Sequence, residues 1–431
     1  MQYYSTRDTK KLKSTSLRDA VLQGLAPDGG LYLPERIEPL PQGFFEAIES
    51  LTFDEINTTV VKQLVGDDLV AAQRDSLVVE ALNFALPIVH LHDDLYVQEL
   101  FHGPTMAFKD VGARFMARLM AKFAEGSGKE LNVIVATSGD TGSAVAAGFF
   151  NVPGIRVYIL YPKGKVSPLQ EKQLTTWGGN ITAIEVDGTF DDCQRMAKQA
   201  LSDTTLQEQR TFTSANSINI ARLIPQSLYY FHAYRMLKHT GKPLAVSIPS
   251  GNFGNLTGGL IAQRLGLPIS HFVAATNAND IVPEYLATAH FNPRPSVATI
   301  SNAMDVGNPS NFERLLNFFE NDHNLMSKAI KGYAFSDSET KTAMREVFDR
   351  TGYTLDPHGA VGYLGLREEL KTGKFTGVLL ETAHPVKFIE VVEETLTTKI
   401  EIPEKMQVFA RKEKMAISCE NAYEKLRELL F

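Results

Sequence analysis

The sequence predicts an α/β protein in which sheets of largely parallel strands are covered by helices on both faces. Three observations predict it. From Asp110 onward, apolar strand-like runs alternate with amphipathic helical runs, as a parallel sheet requires when each strand returns through a crossover helix. Two glycine-rich turns, at 137–142 and 251–255, stand where such a strand hands over to a helix. The 431 residues also exceed one hydrophobic core, so two or three domains of roughly 100 to 200 residues are expected.

The first 95 residues form a mainly helical unit. Leu17, Val21, Leu22 and Leu25 fall on one helical face of TSLRDAVLQGL, and Asp28, Gly29 and Gly30 stop it. DGGLYLPE then reads as a turn and a short extended run ending at Pro34. LTFDEINTTVVKQLVG is the next helix, and the alternation in ALPIVHLHDDLYVQELF indicates a strand or hairpin. Residues 96–431 are one further region, with a smaller subdomain over about 110–210 and a larger one from the remainder. Within it VGARFMARLMAKFAE is an amphipathic helix, LNVIVAT a buried strand, and GSAVAAGFF a small-residue helix able to pack closely. IRVYILYP, ITAIEVDG, LAVSIPS and GVLLETAHP are further strands, and the tail KEKMAISCENAYEKLRELLF reads as a closing surface helix.

Composition bounds the function. The chain is 44% hydrophobic and 22% charged, which is that of a globular protein, and its formal charge of −7 argues against nonspecific nucleic-acid binding. Cys193 and Cys419, both in helix-like contexts, offer neither a disulfide framework nor zinc spacing, so a reducing cytoplasm fits. No stretch approaches the ~18 apolar residues of a membrane span. His90 and His92 alternate on a strand edge and read as structural rather than metal-binding. Tyr229, Tyr230, Phe231 and Tyr234 read as a packed helix face. His358 precedes a helix close enough to approach a pocket, and His384 follows Thr382 closely enough to line one.

The chemistry gathers at Lys109. HGPTMAFKDVGAR surrounds this amine with Pro104, Met106, Ala107 and Phe108, and desolvation of that kind keeps a lysine unprotonated part of the time, as Schiff-base formation requires. Gly251, Asn252, Phe253, Gly254 and Asn255 follow a strand ending at Pro249 and precede a helix whose first amides lack internal partners, which is the form of a phosphate cup. Thr137, Ser138, Gly139, Asp140, Thr141 and Gly142 repeat the arrangement, suited to a carboxylate or a second phosphate. Neither turn fits a dinucleotide fingerprint, and EGSGKE lacks Walker A spacing. A reactive lysine with a phosphate cup describes a pyridoxal phosphate (PLP) enzyme.

HGPTMAFKDVGAR, TSGDTGSA, SGNFGN and ETAHPVKF, in that order and with APDGGLYLP near the start, resemble the threonine synthase family in its bacterial and fungal long form, over essentially the whole chain. The resemblance implies a fold type II PLP enzyme with two sheet domains and, over 1–95, the family's N-terminal domain. It implies that Lys109 holds PLP through a Schiff base and moves protons, that Gly251, Asn252, Phe253, Gly254 and Asn255 bind the cofactor phosphate, and that Thr382 faces the pyridine nitrogen. The implied substrates are O-phospho-L-homoserine and water, converted to threonine and phosphate. Thr137, Ser138 and Thr141 would hold the substrate carboxylate, and Asn216, Ser217, Asn219 and Arg222 its phosphate, the Arg fork suiting phosphate geometry. Related enzymes often have asparagine where this chain has Asp140, whose carboxylate cannot donate to the cofactor's phenolic oxygen. Asp140 then orients neighbouring hydroxyls, accepts from the imine side, or faces away. The resemblance carries no metal, membrane or nucleic-acid partner and leaves monomer and homodimer open. Competing readings are a phospholyase or hydroxy-amino-acid dehydratase on the same fold, and a noncatalytic amino-acid sensor.

Overall fold

Strand Leu131–Ala136 is buried at every position, as its unbroken apolar run demands of a strand covered on both faces. The computed structural model describes residues 1–125 and 130–431; most of the run weighed as a Walker loop, residues 126–129, lies outside the described residues. Leu131–Ala136 sits in a five-stranded parallel sheet in the order Ile417–Glu420, Ile181–Asp187, Ile155–Pro162, Leu131–Ala136, Thr211–Ser214. A six-stranded sheet runs Ile330–Ala334, Ile269–Thr276, Leu244–Pro249, Thr376–Glu381, Leu95–Glu99, Ile88–His92, parallel except for its last pair. The α/β class is as expected, with both sheets carrying helices between successive parallel strands.

That antiparallel pair is the hairpin the alternation indicated, and residue 95 falls inside it. The N-terminal unit carries helices Leu17–Gln23, Phe53–Val65 and Ala71–Ala81, plus a three-stranded antiparallel sheet, Thr15–Ser16, Gln2–Ser5, Tyr32–Pro34, of which the sequence revealed only the extended run ending at Pro34. Such short strands carry too few residues for an alternation to register. The tail is corrected too. Only Tyr423–Leu430 is helical, while Ile417–Glu420, with Cys419, adds an edge strand to the five-stranded sheet. Its buried partner, Ile181–Asp187, supplies the ladder that outweighs local helix propensity.

Helix Lys109–Ala124 lays Phe115, Met116, Leu119, Met120 and Phe123 into the core, each burial contributing about 1.5–3 kcal/mol. Helix Asp140–Phe149 crosses it closely, for a Cβ on Gly148 would lie 3.1 Å from the backbone of Ala113. The small residues therefore serve helix-on-helix contact. Gly142 serves the sheet side, where a Cβ would meet Ile159 at 3.0 Å. The N-terminal unit shares this core: Tyr3, Leu17 and Val61 belong to the same buried cluster as Val133 and Val246.

Candidate active site

Asp110 builds the loop that presents Lys109. Its buried carboxylate accepts from Thr105 N–H at 2.8 Å and Thr105 Oγ1 at 2.7 Å, closing residues 105–110 into a turn. Gly103 leaves room for it, since a Cβ there would stand 2.4 Å from Asp110 Oδ2. Phe108 N–H donates to the carbonyl of Thr382 at 2.8 Å and His384 N–H to that of Met106 at 3.1 Å, stitching the loop to the end of strand Thr376–Glu381. Lys109 thus starts its helix directly beside Thr382. Both line a cavity of about 140 Å³.

The cavity lies at the carboxyl ends of strands from both parallel sheets, where helix N-termini converge. One wall is the turn after Leu244–Pro249. Phe253 takes a left-handed φ of 58°, which turns successive amides of residues 251–255 the same way, and among the described residues none of these amides donates a hydrogen bond. Gly251 cannot carry a side chain there, as a Cβ would stand 2.8 Å from the Met304 backbone. Asn252 spends its side chain on bracing, with Nδ2 donating to Ser217 Oγ at 2.7 Å and Oδ1 accepting from Ser310 N–H at 2.6 Å. Asn255 differs. Its Oδ1 accepts from Tyr229 and Tyr230 hydroxyls at 2.6 and 2.7 Å, while its Nδ2 is buried without a partner among the described residues.

The opposite wall is the 137–142 turn, where Ser138, Asp140 and Thr141 line the cavity. Asp140 Oδ1 accepts from Gln170 Nε2 and Lys387 Nζ, both at 2.7 Å, and Lys387 Nζ also donates to the carbonyl of Thr105 at 2.9 Å. Burial works against the Asp140 charge, but Lys387, Lys109 and the two hydrogen bonds outweigh it and hold its carboxyl well below the usual range. Lys109 responds differently. Burial lowers the pKa of its amine, Asp140 opposes this, and Lys387 and Arg222 add to it. A lowered pKa suits a nucleophilic amine.

Comparison with known proteins follows this geometry. Residues 77–380 match the family described as pyridoxal-phosphate dependent enzyme, residues 2–82 threonine synthase N terminus, and residues 359–430 threonine synthase, C-terminal. The threonine synthase of Haemophilus influenzae is 43% identical over 419 residues, covering 97% of each chain. The chain belongs to the threonine synthase family. The crystal structure of threonine synthase from Escherichia coli matches with a TM-score of 0.94 at 40% identity, covering 100% of this chain and 99% of that one. A PLP-bound threonine synthase from Brucella melitensis matches at 0.92 and 32%, covering 100% and 98%. Family membership makes this chain a PLP-dependent enzyme.

The threonine synthase motifs do not all reach the cavity. Lys109, Ser138, Asp140, Thr141, Asn216, Ser217, Arg222, Gly251, Asn252, Phe253, Gly254, Asn255 and Thr382 line it, whereas Thr137 and Asn219 do not. Thr137 Oγ1 accepts from Gly139 and Gly142 N–H, shaping the turn from within. Asn219 caps the short helix Ile220–Arg222 through Oδ1 and donates from Nδ2 to the carbonyl of Val21 at 2.8 Å, a tie to the N-terminal unit. Asn216 is engaged on both sides of Ala136, Oδ1 accepting from its N–H at 3.2 Å and Nδ2 donating to its carbonyl at 2.8 Å, which uses one of the two Nδ2 protons of a residue that lines the cavity. Ser217 accepts from Asn252 and Asn311, which frees its own proton beside Gly254 in the cup. Arg222 is buried, donates from Nη1 to the Ala215 carbonyl at 2.8 Å, and has no partner for Nε among the described residues.

His358 lines the cavity, its Nε2 accepting from Ala303 N–H at 3.2 Å. His384 instead caps the turn Pro385–Phe388 and packs edge-on against Phe101 outside it. His90 and His92 bond within or beside their own hairpin turn. Sequence reasoning missed Lys387, quoted only as part of ETAHPVKF, and missed that Tyr229 and Tyr230 orient Asn255. A lysine in a run otherwise buried was the available signal for the first.

Proposed function

We propose that this chain is a threonine synthase that converts O-phospho-L-homoserine and water to L-threonine and inorganic phosphate, with Lys109 as the cofactor lysine. The observation that carries this reading is the cavity itself: an amine of lowered pKa shares it with a cup that has, among the described residues, one unpaired side-chain amide donor and five unpaired backbone N–H groups, and no room for a side chain at Gly251. That donor set fits a phosphate monoester, so Asn255, Ser217 and the 251–255 amides would hold the PLP phosphate and Thr382 would face its ring nitrogen. Bound PLP supplies the electron sink for breaking C–H bonds of the substrate.

The chain's own groups do the rest. Lys109 nitrogen, released when the substrate amine takes its place, carries protons between substrate carbons. Ser138 and Thr141 offer hydroxyls at a helix N-terminus for the substrate carboxylate. Arg222, a buried guanidinium that lines the cavity and is held by one carbonyl, is the cation for the substrate phosphate, whose departure from Cγ and replacement by water at Cβ balance the reaction. Incubating purified protein with O-phospho-L-homoserine should release phosphate and threonine in equal amounts, and Lys109→Ala should abolish both. Phosphate accompanied by a 2-oxo acid would overturn the assignment.

A further inference from the structure

Lys387 is a buried cation behind Asp140, in the wall of a cavity already lined by Lys109 and Arg222, and a second lysine there has no place in the chemistry above. Only 1% of it is exposed. It reaches the site from the turn Pro385–Phe388, immediately after Thr382, and its ammonium has two partners among the described residues: Asp140 Oδ1 and the Thr105 carbonyl. The second contact matters as much as the first, because Thr105 is the residue whose N–H and hydroxyl hold Asp110, next to Lys109. One ammonium therefore joins the lysine loop, the 137–142 turn and the Thr382 strand end. Asp140 is 4% exposed, and its Oδ1 takes both the Lys387 and Gln170 hydrogen bonds, while its Oδ2 has no hydrogen bond among the described residues.

We propose that Lys387 is a positioning residue that keeps Asp140 an anion with one oxygen tied back and the other turned to the cavity, so that a fixed negative charge faces the nitrogen of Lys109. This rests on the reading of Lys109 as the cofactor lysine, and it gives Asp140 a role other than an asparagine's: it favours a positive charge on that nitrogen instead of donating to the cofactor. A buried carboxylate without its cation would take up a proton, because removing one partner leaves an uncompensated charge in low dielectric. The balance of charges at Lys109 has the right sign, since Asp140 raises its pKa more than Lys387 lowers it. The other charged or titratable groups acting on this cluster are Arg222, Asp110 and His384; His384 is neutral through most of the accessible range, burial lowering its pKa to about 4.

The test follows the pH midpoint of the visible absorbance change in holoenzyme, together with cofactor affinity, for the wild type, Lys387→Met, Asp140→Asn and the double variant. Lys387→Met should lower the midpoint by about one pH unit or more as Asp140 is neutralised. Asp140→Asn, which leaves the Lys387 charge unpaired beside Lys109, should lower it furthest and weaken cofactor binding by about tenfold or more. The double variant should bind better than Asp140→Asn and share the midpoint of Lys387→Met. Where Lys387→Met does not fold, the order of Asp140→Asn below the double variant decides the matter. A midpoint that holds or rises in Lys387→Met, or a double variant no better than Asp140→Asn, overturns the proposal, as a purely structural lysine would leave the spectrum's pH response unmoved. A colourless wild-type protein would instead remove the premise that Lys109 carries the cofactor, an outcome distinct from either.

Discussion

At the scale of single residues, Asn255 meets two demands with one amide. Its oxygen satisfies the buried hydroxyls of Tyr229 and Tyr230, and its nitrogen is left for a ligand. Asn255→Ala should therefore weaken PLP binding by roughly tenfold or more and cost about 1–3 kcal/mol in unfolding experiments, the two hydroxyls losing their acceptor. His232 predicts a pH response instead. It is buried, stacks on Phe53 and bonds to Asn57 Oδ1 at 2.8 Å, and burial, with a smaller push from Arg235, lowers its pKa from 6.5 to about 3. The unfolded chain then binds the proton first, so stability is full above pH 6.5 and falls by roughly 1.4 kcal/mol per pH unit as pH drops towards 3. Chemical denaturation at pH 7 and pH 5 should show the loss in wild type and a shallower one in His232→Gln.

At the scale of elements, the lysine loop is the most exacting piece. Its shape depends on the Asp110 carboxylate bridging Thr105 and on the empty space at Gly103. Gly103→Ala should displace that carboxylate, lower kcat by about tenfold or more through misplacement of Lys109, and lower the melting temperature modestly. Turnover and a thermal melt on the same preparation check both parts. Thr52 with Glu55 and Ser336 with Glu339 form capping boxes, which start the helix expected in LTFDEINTTVVKQLVG and a second helix, Asp337–Thr351. Strands with long apolar runs were equally clear. Ile417–Glu420 was not, since a short edge strand acquires its identity only from the neighbour it pairs with.

At the scale of the whole molecule, Arg314 joins the N-terminal unit to the 251–255 turn. Fully buried, it donates to the carbonyls of Tyr32, Ser217 and Ile218 and to Asn311 Oδ1, while Asn311 in turn braces Ser217 and the Asn252 carbonyl. Arg314→Met should strip four buried acceptors of their donor, destabilise the protein by roughly 3 kcal/mol or more, and loosen PLP, as unfolding and cofactor titration would show. Nothing around Arg314 in the chain announces this, because three of its four partners come from two distant segments. The same contrast runs through the protein. Local order and the gathering of Lys109 with two glycine-rich turns at the ends of strands were legible in the sequence alone, because periodicity, glycine placement and residue type act over a few neighbouring positions. Which asparagine or serine reaches the cavity, the pairing of Asp140 with Lys387, and the strand in the C-terminal tail were decided only by tertiary structure, because burial and hydrogen-bond partners come from residues the chain brings together only on folding.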